Sequence, residues 1–164
     1  MLDIQKVKEL LSYDPKSGFF TWNVDRTGGV KTGDRAGYIN RDGYRAIKVQ
    51  GKLYAAHRIA FLMMHGYLPK TIDHIDRDRD NNAISNLREC SESQNQFNKS
   101  ALKSNTSGKK GVTWNKSAGK WQAQSTHAGK QNYLGIYDSL EEASDAYQNF
   151  CSQKHGEFYA GRER

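Results

Sequence analysis

Residues 99–108, Lys-Ser-Ala-Leu-Lys-Ser-Asn-Thr-Ser-Gly, are small, polar and basic, and this run interrupts the chain where there is little to bury. In a chain of 164 residues with 36% hydrophobic side chains, no single large core is forced. The sequence therefore predicts two modest units, 1–98 and 109–160, joined by a linker at 99–108.

In the front unit, Ile4, Val7, Leu10 and Leu11 repeat at helical spacing and stop before the turn signal Asp14-Pro15-Lys16-Ser17-Gly18. Phe19–Trp22 reads as a strand. Tyr44–Val49 and Lys52–Ala55 flank Gln50-Gly51 as a hairpin would. His57–His65 is apolar until Gly66 and suits a short buried helix. Thr71–Ile75 is a β-branched run that opens into a loop rich in Asp and Asn, and Asn86–Cys90 follows as a second short strand. Ser91 with Gln94 forms a plausible capping box, so a helix should begin there and carry Asn95 in its first turn. The spacing thus predicts a β-β-α unit at about 71–98.

The tail reads as three strands, Lys110–Trp114, Lys120–Ser125 and Tyr133–Tyr137, separated by turns containing glycine. A helix follows. Ser139 and Glu142 form a capping box, Ala143, Ala146, Tyr147, Phe150 and Cys151 make an apolar stripe, and Gly156 is the stop. The expected class is α+β.

The formal charge of +7 favours a polyanionic partner such as nucleic acid. Its distribution is sharper than the sum. No acid occurs between Glu92 and Asp138, a stretch that holds Lys99, Lys103, Lys109, Lys110, Lys116, Lys120 and Lys130. Such a one-signed field suits a phosphate-tracking surface. Cys90 and Cys151 lie far apart and form no C-x-x-C pair, so inert core thiols in a reducing cytoplasm are expected. No run approaches a membrane span and no secretory leader is visible, which predicts a soluble intracellular protein without a membrane partner.

Asp73 and His74 are adjacent at the end of a predicted strand, where alternation would send them to opposite faces unless the strand ends there. A loop starting directly after His74 allows both to serve one site. The Asp76, Asp78 and Asp80 loop is interrupted by Arg77 and Arg79 and lacks the glycine and terminal glutamate of a calcium loop. It reads as a solvated charge run.

His57-Arg58, Ile72-Asp73-His74-Ile75-Asp76, Asn81 through Arg88 and Gln94-Asn95 together resemble the HNH nuclease motif of phage and intron-encoded homing endonucleases. The resemblance spans roughly 57–98, and the front section from residue 6 is similar to the N-terminal region of phage HNH proteins. It implies a ββα-metal (His-Me finger) unit that hydrolyses DNA phosphodiester bonds to 3′-hydroxyl and 5′-phosphate ends. His74 would be the general base, Asp73 and Asn95 would ligate one Mg²⁺ or Mn²⁺, and Asn86 would brace the metal loop. Asn95 stands where the eponymous motif has a second histidine, and an amide oxygen is the harder donor, which favours Mg²⁺ over Zn²⁺. His57 reads as structural, with Arg58 as a phosphate contact. His65, His127 and His155 receive no role.

The tail resembles the APETALA/ethylene-response-factor DNA-binding domain through Lys110-Gly111-Val112, Gly119 through Ala123, Tyr133 through Tyr137, and Glu141-Glu142-Ala143 with Ala146-Tyr147. That resemblance implies a three-stranded antiparallel sheet that reads double-stranded DNA and a helix behind it. Lys110, Trp114, Lys116, Lys120, Gln122, Gln124 and Lys130 become contact candidates, with Lys99 beside them in the linker. The expected function is a phage or mobile-element homing endonuclease in the cytoplasm, the host's if a phage encodes it. A non-catalytic DNA-binding regulator and a non-specific phage DNA-processing nuclease are the alternatives. A monomer is favoured over a dimer, since no coiled-coil seam is visible.

Overall fold

The computed structural model describes residues 2–98, 105–127 and 129–159, which form two compact units dividing between Ser91 and Glu92. The division falls ahead of the boundary expected from composition. Helix α3 (Glu92–Asn98) packs on the last helix and the turn after it, and so groups with the tail. Lys99 lies outside the described residues, as does the linker up to residue 104. Residues 105–108 belong to the second unit. Asn105 Nδ2 donates to the Lys109 carbonyl and Ser107 Oγ to that of Val112, tying this turn to the first tail strand.

In the first unit, α1 (Ile4–Leu10) is capped by Asp3, whose carboxylate accepts from the Gln5 and Lys6 N–H groups. Leu11, expected on the helical stripe, instead opens strand β1 (Leu11–Tyr13). Paired with Trp22 of β2 (Phe20–Trp22), it is buried all the same. A second sheet has the order β3 (Tyr38–Ile39), β4 (Arg45–Val49), β5 (Lys52–Ala55). Gln50 and Gly51 both take positive φ, 51° and 77°, as the tight turn between β4 and β5 demands. Helix α2 (Ala56–His65) stops at Gly66, left-handed at φ 78°, whose N–H closes on the Leu62 carbonyl.

Val7, Leu11, Phe20, Ile47, Val49 and Ile59 are the fully closed centre of this core. Against it lies a two-stranded sheet, β6 (Ile72–His74) with β7 (Leu87–Glu89). Asn86, expected to start the second strand, ends a 3₁₀ turn (Ile84–Asn86) just before it. The chain can therefore deliver a polar side chain inward at the point where it enters the sheet.

The second unit continues with β8 (Val112–Asn115), β9 (Lys120–His127) and β10 (Lys130–Tyr137), antiparallel in the order β10-β9-β8, backed by α4 (Leu140–His155). Ser139 and Glu142 form the reciprocal capping box expected from sequence, and Gly156 ends the helix. Val112, Ala123 and Ala143 are buried between sheet and helix, with Trp121, Leu134 and Tyr137 packed around them. Gly111 has φ 75°, and a side chain there would meet the Tyr147 ring at 2.1 Å, so only glycine lets the entry to β8 lie against α4. Cys90 and Cys151 are both buried and free, and burial pushes the Cys90 thiol up to about 11. Among the described residues no helix is long and apolar enough to cross a membrane.

Candidate functional site

Antiparallel pairing places Asp73 directly opposite Arg88 and His74 opposite Leu87. Cross-strand partners share a face, so the guanidinium of Arg88 meets the carboxylate of Asp73, with Nη2 and Nε both donating to Oδ2 at 2.8 and 3.0 Å. Both groups are withdrawn from solvent, Asp73 to 5% exposure. A buried carboxylate is tolerated there because a cation lies against it.

Strand β6 ends at His74. The Arg77 N–H returns to the His74 carbonyl, and Arg77 takes φ 68° to make the reversal. The imidazole, also 5% exposed, sits among rings: His57 lies edge-on at 5.0 Å between centroids and Tyr44 at 5.9 Å. Burial lowers the His74 pKa below the ordinary value, outweighing a hydrogen bond to Asn82 and the charges of Asp76, Asp73 and Asp78. His57 is pushed down to about 3 by burial, with His74 and Arg58 adding to the effect. Two neutral imidazoles therefore face each other at neutral pH.

The loop after His74 is held from several sides. Asn86 Nδ2 donates to Asp76 Oδ1 and to the Asn81 carbonyl, both at 2.8 Å, and its Oδ1 accepts from the Asp76 N–H at 3.0 Å. Burial alone would raise the Asp76 carboxyl, but hydrogen bonds from Asn81, Asn86 and the Asp78 N–H hold it below the ordinary value. Asp80, expected to be solvated, is instead the fork partner of the buried Arg45, with Nε to Oδ1 at 2.7 Å and Nη2 to Oδ2 at 2.9 Å. This pair pins the loop to β4. Sequence reading gave no individual role to Arg45, Asp80 or Arg88 because the partner of each is distant in sequence.

Asp73, His74 and Asn86 thus come together in the first unit, while Asn95 is a half-buried residue of α3 in the second. The carboxylate chemistry of Asp73 fits a hard divalent cation. Nε and Nη2 of Arg88 converge on Oδ2 of that carboxylate. Arg58 turned out to be engaged within the fold: its guanidinium donates to the Pro69 and Lys70 carbonyls and braces the segment leading into β6.

On the tail sheet, register assigns the faces. Trp121, Ala123 and Ser125 turn toward α4, and Lys120, Gln122 and Gln124 turn outward with their partners Asn115, Thr113 and Tyr133. The outer face carries linked amides: Asn115 donates to Gln122, Gln122 to Gln124, and Gln131 to Gln124. Trp114 is the cross-strand partner of Trp121, so it lies on the opposite face from the amides, half-exposed on the edge strand. Lys116 and Lys130 are exposed, Lys110 is half-buried, and Lys120 is paired with Asp138 at 2.8 Å while remaining exposed.

The family described as HNH endonuclease matches residues 54–97, the stretch that contains β6, β7 and the loop between them. The chain is 38% identical over 96 residues to Protein 3.8 of Escherichia phage T7, covering 57% of this chain and 78% of that protein. It is 33% identical over 125 residues to an uncharacterized HNH endonuclease of Acanthamoeba polyphaga mimivirus, covering 75% of this chain and 64% of that one. A solved structure describing DNA binding and cleavage by the HNH homing endonuclease I-HmuI is similar at 26% identity with a TM-score of 0.44, over 59% of this chain and 55% of that one.

Proposed function

We propose that the chain, whose residues 54–97 match the HNH endonuclease family, is a divalent-metal-dependent homing endonuclease that hydrolyses phosphodiester bonds of DNA, with His74 as the general base. The observation that carries this reading is a buried imidazole at the end of β6, one residue after a buried carboxylate, where burial lowers its pKa. A base must be unprotonated at working pH and fixed in place, and burial among Tyr44 and His57 supplies both conditions. His74 takes the proton of the water that attacks phosphorus, and Asn86 keeps the adjoining loop in shape through the Asp76 backbone and carboxylate.

Asp73 and Asn95 would hold one Mg²⁺ or Mn²⁺, which when bound supplies positive charge where the leaving oxygen develops its negative charge. Site selection falls to the tail, whose outer sheet face offers Lys120, Gln122 and Gln124, with Lys110, Lys116 and Lys130 nearby in sequence to track phosphates and Trp114 at the edge. The substrate is double-stranded DNA, and the enzyme acts as a monomer in the cell that houses that DNA.

Supercoiled plasmid carrying the native target should be nicked in Mg²⁺ or Mn²⁺ and left intact in EDTA, scored on a gel. Cleavage undiminished by EDTA would remove the metal from the reaction, and tight binding without cleavage in any metal would leave a DNA-binding regulator. Removing charge at Lys116 and Lys120 together should weaken DNA binding and flatten its log–log salt dependence by about one unit per lost phosphate contact. An unaltered slope would place the phosphates elsewhere.

A further inference from the structure

Asn82 is among the most enclosed polar residues of the first unit, 1% exposed, and every atom of its side-chain amide has an assignable direction. Its Nδ2 donates to the Asp80 carbonyl at 2.9 Å, and since a carbonyl can only accept, the amide cannot be turned the other way without losing that bond. Oδ1 is therefore the atom that faces His74 Nε2, at 3.4 Å. The contact is at the long end for a hydrogen bond, as contacts to catalytic groups commonly are in substrate-free sites.

An amide oxygen accepts and does not donate, so it favours a proton on the nitrogen that faces it. Resting on the reading of His74 as the base, we propose that Asn82 is the positioning residue that fixes the His74 tautomer, holding the proton on Nε2 and making Nδ1 the nitrogen that takes the proton from water. The same neutral ring in its other tautomer would point an N–H at the water and could not act as a base.

The fold supplies a buttress for this residue from the opposite direction. The Asn82 carbonyl accepts from the Tyr13 hydroxyl at 2.8 Å, and the Pro15 carbonyl accepts from the Ile84 N–H at 3.0 Å, so the end of β1 and the turn after it grip the chain at Asn82 and two residues beyond it. Tyr13 is in turn stacked on the fully buried Phe20, with ring centroids 4.6 Å apart. Burial, with the charge of Asp14 adding, pushes the Tyr13 phenol up to about 12, so it stays protonated and donating throughout the working range. Gly18 completes the contact. At φ 75°, any side chain there would meet the Asn82–Ala83 backbone at 2.2–2.3 Å. The N-terminal hairpin thus reaches the active site without contributing a residue to it, through one carbonyl and one amide. Arg45 and Asp80 anchor the other end of the same segment, since the Asp80 carbonyl is what fixes the Asn82 amide.

The test is made on the full chain labelled with ¹⁵N at histidine, at a pH where His74 is neutral, using long-range ¹H–¹⁵N correlations assigned by comparison with His74→Gln. Wild type should show a single His74 tautomer with the proton on Nε2, Asn82→Asp should retain it because a carboxylate oxygen also accepts, and Asn82→Leu should show a mixture. Plasmid nicking should fall by about 10- to 100-fold in Asn82→Leu with DNA affinity unchanged, the scale expected when a group that orients a functional imidazole is lost. A proton on Nδ1 in wild type overturns the assignment, and does so even if Asn82→Leu fails to fold. A pure Nε2–H tautomer and full activity in folded Asn82→Leu overturn it as well. The tautomer readout needs neither metal nor DNA, so it can succeed while His74→Ala still cuts, in which case the general-base reading is the one that fails.

Discussion

His74→Ala is expected to slow plasmid nicking by about 10²–10⁴-fold, the range a positioned general base supplies, while DNA affinity stays within about twofold. The two effects separate because proton transfer occurs only in the transition state, whereas binding rests on phosphate and base contacts made elsewhere. Filter binding in EDTA and nicking in Mg²⁺ on the same preparation measure them side by side. A parallel loss of both would make His74 a structural or binding residue, and undiminished cutting would remove it from the reaction. The pH dependence carries the same assignment. Burial sets the imidazole below its ordinary value of 6.5, and only the neutral ring can accept a proton. The wild-type rate should therefore rise with pH through a value below 6.5 and be level above it, and a rate that keeps climbing beyond the ordinary histidine range would point to a different base.

The elements of the tail were legible because their signals are local, although β8 starts two residues later than expected, β9 ends two residues later and β10 starts three residues earlier. Ser139 and Glu142 name the start of α4, Gly156 its end, and three runs set apart by glycine become β8, β9 and β10. The hairpin at Gln50-Gly51 and the stop at Gly66 were readable for the same reason. What escaped was short or non-local. Strands β1 and β3 have three and two residues, too few for any periodicity to register, and Leu11 satisfies a helical stripe as well as it satisfies a strand. Asp80 looked like one more charge in a solvated loop because its partner, Arg45, lies 35 positions away. Asn82 stood in a run of asparagines that turn chemistry alone would explain, and only folding shows its amide to be enclosed and its oxygen to face His74. The candidate site was visible as a list of residues, whereas the interactions that hold those residues depend on register.

The Asp73–Arg88 pair is the clearest case, since nothing in the sequence says that these two stand opposite each other. Arg88→Met removes the cation from a carboxylate that is 5% exposed, and breaking a buried pair in this way costs about 3–5 kcal/mol. In EDTA the melting midpoint of the first unit should drop by roughly 10 °C or more. Asp73→Asn in the same background should restore part of the loss, because the uncompensated charge is then gone, and the double-mutant cycle isolates the pair from the separate roles of its members. Single and double variants of equal stability would mean that Arg88 contributes packing and not charge. The same proteins report on the metal without any cleavage assay. If Asp73 ligates a divalent cation, Mn²⁺ replaces in part the positive charge that Arg88→Met has lost, so the metal should raise the midpoint of this variant more than that of wild type. With Asp73→Asn added, the difference should vanish. Equal metal shifts in all three proteins would take Asp73 out of the metal site while leaving the ion pair intact as a structural feature.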